Sequence, residues 1–140
     1  MIVVLDTNVV LQARSPLHDF HPILAAWKNG SFSLAVSTSI LLEYEEVITA
    51  KTSSVRWQNF ATFLDAVAAD EGNLIAISPS FHFQLIIADP DDDKFADCAI
   101  AAGADWIVTE DRHFDALIGS GHRAQPIAPD EFIRRHLAEV

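Results

Sequence analysis

Four acidic side chains in this sequence have the type and setting that divalent-metal chemistry needs: Asp6, Glu43, Asp93 and Asp111, with Asp97 as a fifth candidate. Carboxylate oxygens are hard donors that suit Mg²⁺ and Mn²⁺. Those ions keep several waters, so a few protein ligands suffice. An ion held this way neutralises a phosphate, activates a water and stabilises a leaving oxygen, which is the chemistry of phosphodiester hydrolysis. Without a cation between them, crowded carboxylates repel one another and some of their pKa values rise. Such a cluster makes little structural sense on its own.

Each position also has an ordinary use. Asp6 can begin a turn, with Asn8 capping the helix after it. Asp91, Asp92 and Asp93 suit a helix N-terminus, where the macrodipole favours acids. Glu43, Glu45 and Glu46 read as a solvated face, and Asp111 as a turn residue. The metal reading rests on the acids occurring together. Other motifs fail. Asp89, Asp91 and Asp93 mimic the start of an EF-hand loop, but Lys94 stands where Gly is needed and Ile100 where Glu is needed. The histidines (His18, His21, His82, His113, His122 and His136) show no paired metal spacing, and no phosphate-loop glycine motif is present. An aspartyl-phosphate reading of Asp6 wants a second Asp two residues on, where Asn8 stands, and a partner lysine. A binding module without catalysis is the remaining alternative, and the intact acid set speaks against it.

The elements that must position these acids alternate. Ile2–Leu5 is a short apolar run ending at Asp6 and reads as a buried strand, as do Phe32–Val36, Leu74–Ile77 and Trp106–Val108. Helical periodicity covers Leu17–Lys28, Ser39–Lys51, Val55–Ala69, Asp92–Ala102 (closed by Gly103) and Asp130–Ala138. Phe81–Ala88 fits neither pattern. Alternation of this kind predicts a parallel α/β sheet whose ligands bind beyond the carboxyl ends of the strands, near the point where strand order reverses. Periodicity does not choose between Glu43 and Glu45, which flank the apolar arc of their helix equally. Asp93 and Asp97 share a helix face opposite Phe95, Cys98 and Ala102. Trp27, Trp57 and Trp106 read as core anchors.

The chain has 140 residues, half of them hydrophobic, enough for one domain with a real core. One cysteine excludes a disulfide framework and fits a reducing compartment, so a cytoplasmic protein is expected. No apolar run approaches the ~18 residues of a membrane helix, and the N-terminus does not read as a signal peptide. The net charge of −11 counts against a nucleic-acid partner. Acids gathered round metal, or a basic partner protein, would reconcile the two.

The segments LDTNV at 5–9, SILLEYEEVI at 39–48, DPDDDKFADCAIAAGAD at 89–105 and IVTEDRHF at 107–114 resemble the PIN-domain signature. More narrowly, they are similar to the toxins of toxin–antitoxin pairs related to the VapC ribonucleases, and the resemblance runs to the ending IAPDEFI. It implies a three-layer α/β/α domain over residues 1–140 with a central, mostly parallel sheet of four to five strands. It places the catalytic acids on Asp6, Glu43, Asp93 and Asp111, with Asp6, Asp93 and Asp111 as metal ligands. Asn8 and Thr109 fall on supporting polar positions; Asp97, on the same helix face as Asp93, is a candidate for a further ligand or a water-mediated contact. It also implies Mg²⁺ or Mn²⁺, an RNA substrate cut internally, a homodimer and an antitoxin that blocks the cleft. Arg112, beside Asp111, is a candidate phosphate contact.

Overall fold

Five short strands form one sheet in which every neighbouring pair is parallel: β1 Ile2–Leu5, β2 Ser33–Val36, β3 Leu74–Ala76, β4 Trp106–Val108 and β5 Gln125–Ile127, in the order β3-β2-β1-β4-β5. The computed structural model describes residues 1–79, 83–86 and 89–137. Val3, Val4, Leu5, Leu34, Ala35, Val36, Ile107 and Val108 are all buried. Uninterrupted apolar runs of this kind are what a parallel sheet covered on both faces requires. The chain builds outward from β1 through β2 to β3, then returns to place β4 on the other side of β1. The strand order therefore reverses between β1 and β4. Val3 faces Leu34 on one side and Trp106 on the other, and Leu5 faces Val108. Asp6 N–H donates to the Val108 carbonyl (3.0 Å) and Thr109 N–H to that of Ile127 (2.9 Å), so β1, β4 and β5 end at one level.

The helices are α1 Thr7–Ala13, α2 His21–Lys28, α3 Thr38–Lys51, α4 Ser54–Glu71, α5 Asp93–Ala102 and the short α6 Pro129–Phe132. Ser37 and Ser53 cap α3 and α4 through their hydroxyls, and Gly72 and Gly103 close α4 and α5 in the left-handed conformation. On α4 the expected stripe packs inward: Phe60, Leu64 and Val67 are buried, with Trp57 partly so. Trp27 is fully buried, and Trp106 packs against the core under the Arg135 guanidinium. α5 lies across β1, β2 and β4, with Phe95, Cys98 and Ala99 fully buried beneath it. α1 packs on α2 and α3, and α3 on α4, giving helices on both sides of the sheet. Among the described residues no helix is long and apolar enough to cross a membrane.

Five elements depart from the sequence reading. The helix expected over Leu17–Lys28 begins only at His21, because Pro22 sets its first turn and the preceding residues fold as turns that leave Leu17 96% exposed. The expected Asp130–Ala138 helix begins at Pro129 and widens into a π-helical turn over Ile133–Leu137; Ala138 lies outside the described residues. A 3-10 helix over Arg112–Leu117 and the edge strand β5 were not anticipated, and the helix after Asp6, α1, is capped by Asp6 rather than by Asn8. Pro126 sits inside β5, where a proline is tolerated because one side of an edge strand needs no N–H donor. The undecided stretch Phe81–Ala88 lies partly outside the described residues, and Phe83–Ile86 within it form no strand.

Candidate metal centre

Asp6 leaves β1 and Thr109 leaves β4 at the reversal of strand order, where a parallel sheet opens a crevice. Asp6 is only 8% exposed and both its carboxylate oxygens are held. Oδ1 accepts the Thr7 N–H (2.8 Å), capping α1, and Oδ2 accepts the buried Thr109 hydroxyl (2.7 Å). Thr109 Oγ1 in turn accepts the Asp111 N–H (2.9 Å), so one hydroxyl ties the ends of two strands to the loop carrying the next acid. Behind them, the buried Tyr44 hydroxyl donates to the Leu5 carbonyl and fixes the residue before Asp6. An ionised carboxylate offers about four lone-pair sites. Two protein donors therefore orient Asp6 and leave it able to accept a cation.

α3 delivers Glu43 to the same crevice. Of the three glutamates on that helix, Glu45 and Glu46 are exposed, while Glu43 is half-buried and accepts from the Thr7 hydroxyl and from Lys94 Nζ (2.8 Å). Burial above all raises the Asp6 pKa; the negative charges of Asp111 and Glu43 add to it, and the hydrogen bonds from Thr109 and Thr7 oppose it. Asp6, Glu43 and Asp111 thus share one electrostatic neighbourhood.

The acid of the DPDDD segment that faces this neighbourhood is Asp92. Asp89, Asp92, Asp111 and His113 each present a ligand atom within 4.8 Å of the others. Asp92 ends a 3-10 turn, Pro90–Asp92, whose tighter pitch swings it out of register with α5. Among the described residues its buried Oδ2 has no hydrogen-bond partner; it lies 3.7 Å from His113 Nδ1. Its carboxyl is pushed up to about 8, by burial first, then by the charge of Asp89, a side-chain hydrogen bond with Asp111, and the charges of Asp111 and Asp6. An orphaned oxygen among hard oxygen donors and one imidazole fits a divalent cation.

Asp93 and Asp97 sit alongside. Asp93 Oδ1 accepts the Ile86 N–H (2.9 Å), and Asp97, 3% exposed, accepts the Phe83 N–H (2.9 Å). With Ser37, Thr38, Pro90 and Lys94 they line an adjoining cleft of about 470 Å³. Asn8 is exposed on α1. Arg112 is 94% exposed and, among the described residues, reaches only the Asp115 carboxylate (3.9 Å). The grouping of Asp89, Asp92 and His113 escaped the sequence reading. The D-x-H spacing of Asp111 and His113 was the available signal, since the Asp111 carboxylate caps His113 N–H (2.9 Å) and draws the two side chains together.

The VapBC2 complex of Rickettsia felis, solved bound to a DNA fragment from their promoter, is similar in fold. It is 20% identical to this chain with a TM-score of 0.60, covering 91% of this chain and 98% of that one. Among proteins of curated function, none matches the sequence. The PIN domain matches residues 2–113, from the first residue of β1 through His113. That span includes Asp6, Glu43, Asp89, Asp92, Asp93, Asp97 and Asp111, and the chain belongs to the PIN domain family.

Proposed function

We propose that this protein is a metal-dependent endoribonuclease, the toxin of a toxin–antitoxin pair. The carrying observation is the buried, unpartnered Asp92 Oδ2 among Asp89, Asp111 and His113, facing Asp6 at the strand-order reversal. PIN membership and the likeness to a VapBC structure support the reading. A bound Mg²⁺ or Mn²⁺ would supply charge neutralisation and an activated water.

The protein's own part is positioning. Asp6 and Asp111 are held through Thr109, Glu43 is oriented by Thr7 and Lys94, and all three project from the edge where a phosphodiester can approach. Asp6, Asp111 and either Asp92 or Asp93 would hold the ion, with Glu43 and Asp97 outside them. Low exposure at Asp6 and Thr109 keeps water from competing for these contacts. An aspartyl-phosphate role suits Asp6 less well, because both its oxygens are committed to donors and Lys94 reaches Glu43 instead. A basic antitoxin tail in the acidic cleft, and a homodimer, complete the proposal.

The test is cleavage of single-stranded RNA by purified protein. Activity should require Mg²⁺ or Mn²⁺, vanish in EDTA and be abolished by Asp6→Asn. Full activity in that variant would place the chemistry elsewhere.

A further inference from the structure

The protein carries nine lysines and arginines, and their pairing is uneven. Lys94, Arg112, Arg123, Arg134 and Arg135 each reach a carboxylate. Arg14, Lys28, Lys51 and Arg56 have no carboxylate partner among the described residues. Three of these four line a single groove of about 470 Å³ between α2 and α4, together with Asn59, Phe60 and Phe63. Arg14 and Arg56 also border the adjoining hollow at Thr52 and Ser53, directly after Lys51.

Arg14 is the centre of this arrangement. Its Nε is buried with no acceptor among the described residues. Burial first, and then the charge of Arg56, lower its pKa below the ordinary arginine value. Two guanidiniums set against each other with a buried donor unused are unfavourable as an isolated feature and favourable around an oxyanion, which takes two N–H donors from one planar fork.

We infer that this groove binds backbone phosphates of the RNA strand, away from the carboxylates that cut it. The inference rests on the ribonuclease reading. α1 begins beside Asp6 and ends beside Arg14, so at ~1.5 Å per residue the groove lies about 12 Å from the carboxylate edge, within reach of neighbouring nucleotides. On a chain of net charge −11, it is the uncompensated positive field a polyanion would meet. An acidic polypeptide would feel the same field but has no reason to span from Asp6 to Arg14.

The test uses full-length protein and a fluorescein-labelled single-stranded RNA of about a dozen nucleotides. Binding is followed by anisotropy in EDTA against salt, and cleavage is followed at saturating metal. In Arg14→Gln/Arg56→Gln, Kd and KM should rise about ten-fold or more, with kcat within about two-fold of wild type. The slope of log K against log salt should shrink by about 1.4, the contribution of two single-strand phosphates. Arg56→Gln alone, at an exposed position, should shrink the slope by about 0.7 with an unchanged melting temperature. Wild type that cleaves RNA while both variants keep its salt slope overturns the groove assignment alone. Wild type that neither binds nor cleaves RNA overturns the ribonuclease reading beneath it. Oligoglutamate binding lost in the variants, with RNA binding intact, overturns the phosphate assignment in favour of a protein partner.

Discussion

Replacing Asp6 with Asn separates what that carboxylate does for the fold from what it does for a cation. Asn is isosteric, and its Oδ1 can keep the Thr7 N–H bond that caps α1. Its Nδ2 would turn toward Thr109 Oγ1, which already accepts from Asp111 N–H and has a second lone pair free to take it. The charge-assisted bond from Thr109 is lost, at a cost of about 1.5–3 kcal/mol. Against this, a buried negative charge is removed from beside Asp111 and Glu43, the same groups that raise the Asp6 pKa. The two effects oppose, so without metal the variant should lie within about 1 kcal/mol of wild type. With metal the two proteins diverge. A ligand at a hundred times its Kd stabilises the folded state by ~2.7 kcal/mol. For a chain of this length that is roughly a 10 °C rise in melting temperature. Wild type should show that rise when Mn²⁺ replaces EDTA, and Asp6→Asn less than about a third of it. RNA cleavage should fall by more than ~100-fold, the upper range for losing even an indirect metal contact. An Asp6→Asn protein with the full Mn²⁺ shift would refute Asp6 as a ligand, whatever its activity.

The pH dependence of stability has a definite sign. The Asp92 carboxyl keeps its proton in the folded state up to about 8 but loses it near the ordinary carboxylate value once unfolded, and Asp6 is displaced in the same direction. The folded state then binds more protons across that interval, so in EDTA the melting temperature should fall as pH rises from 5 to 8, and Mg²⁺ should flatten the fall; a rising apo curve would contradict the buried acid cluster. Asp92→Asn and Asp93→Asn should behave oppositely. The first removes a carboxyl that folding holds protonated and unfolding ionises, raises apo stability near neutral pH and weakens Mn²⁺ binding by ten-fold or more; the second weakens the acceptor of the Ile86 N–H bond and costs ~1 kcal/mol, read by thermal melting with and without metal. If the pattern is reversed, Asp93 is the ligand. Lys94→Met removes a cation 2.8 Å from Glu43 and should tighten Mn²⁺ binding several-fold at low salt, measured by calorimetry; unchanged affinity would place Glu43 outside the reach of the ion.

Sequence patterns found the elements wherever the burial period was long enough to register. The stripe of Trp57, Phe60, Leu64 and Val67 marks α4, and the VVL and IV runs mark β1 and β4, because a buried face leaves a repeat that no other structure needs. The failures are short or proline-bearing. β5 has three residues, one of them Pro126, and α1 has seven, too few for a period to show. Over Leu17–Lys28 the apolar spacing of Leu17 and Phe20 imitates a helix, but Leu17 projects into solvent, and nothing local distinguishes an apolar residue that packs from one that does not. At the site, Asp6 was readable because a strand end fixes where its side chain points. Glu43 was not separable from Glu45, since the difference lies in α1 and Lys94 arriving from elsewhere in the chain. The α5 wheel puts Asp93 and Asp97 on one face, and the family resemblance favours Asp93. The 3-10 turn at Pro90–Asp92 changes the angle per residue, so Asp92 rather than Asp93 meets Asp89 and Asp111.

The net charge of −11 then stops being evidence against a polyanionic substrate and becomes a statement about where such a substrate can touch. At the carboxylate edge the field is hostile until a cation reverses it, so productive contact there depends on metal. At the groove between α2 and α4 the field is favourable without metal but falls away over the Debye length, so contact there depends on salt. One strand engaging both places would be captured by a salt-sensitive step and cut by a metal-sensitive one. Raising ionic strength at saturating Mn²⁺ should therefore raise KM while leaving kcat nearly fixed. Withdrawing Mn²⁺ at low salt should abolish kcat while the strand stays bound. If both conditions moved the same parameter, the acidic edge and the basic groove would be one site, and the separation along α1 would carry no functional meaning.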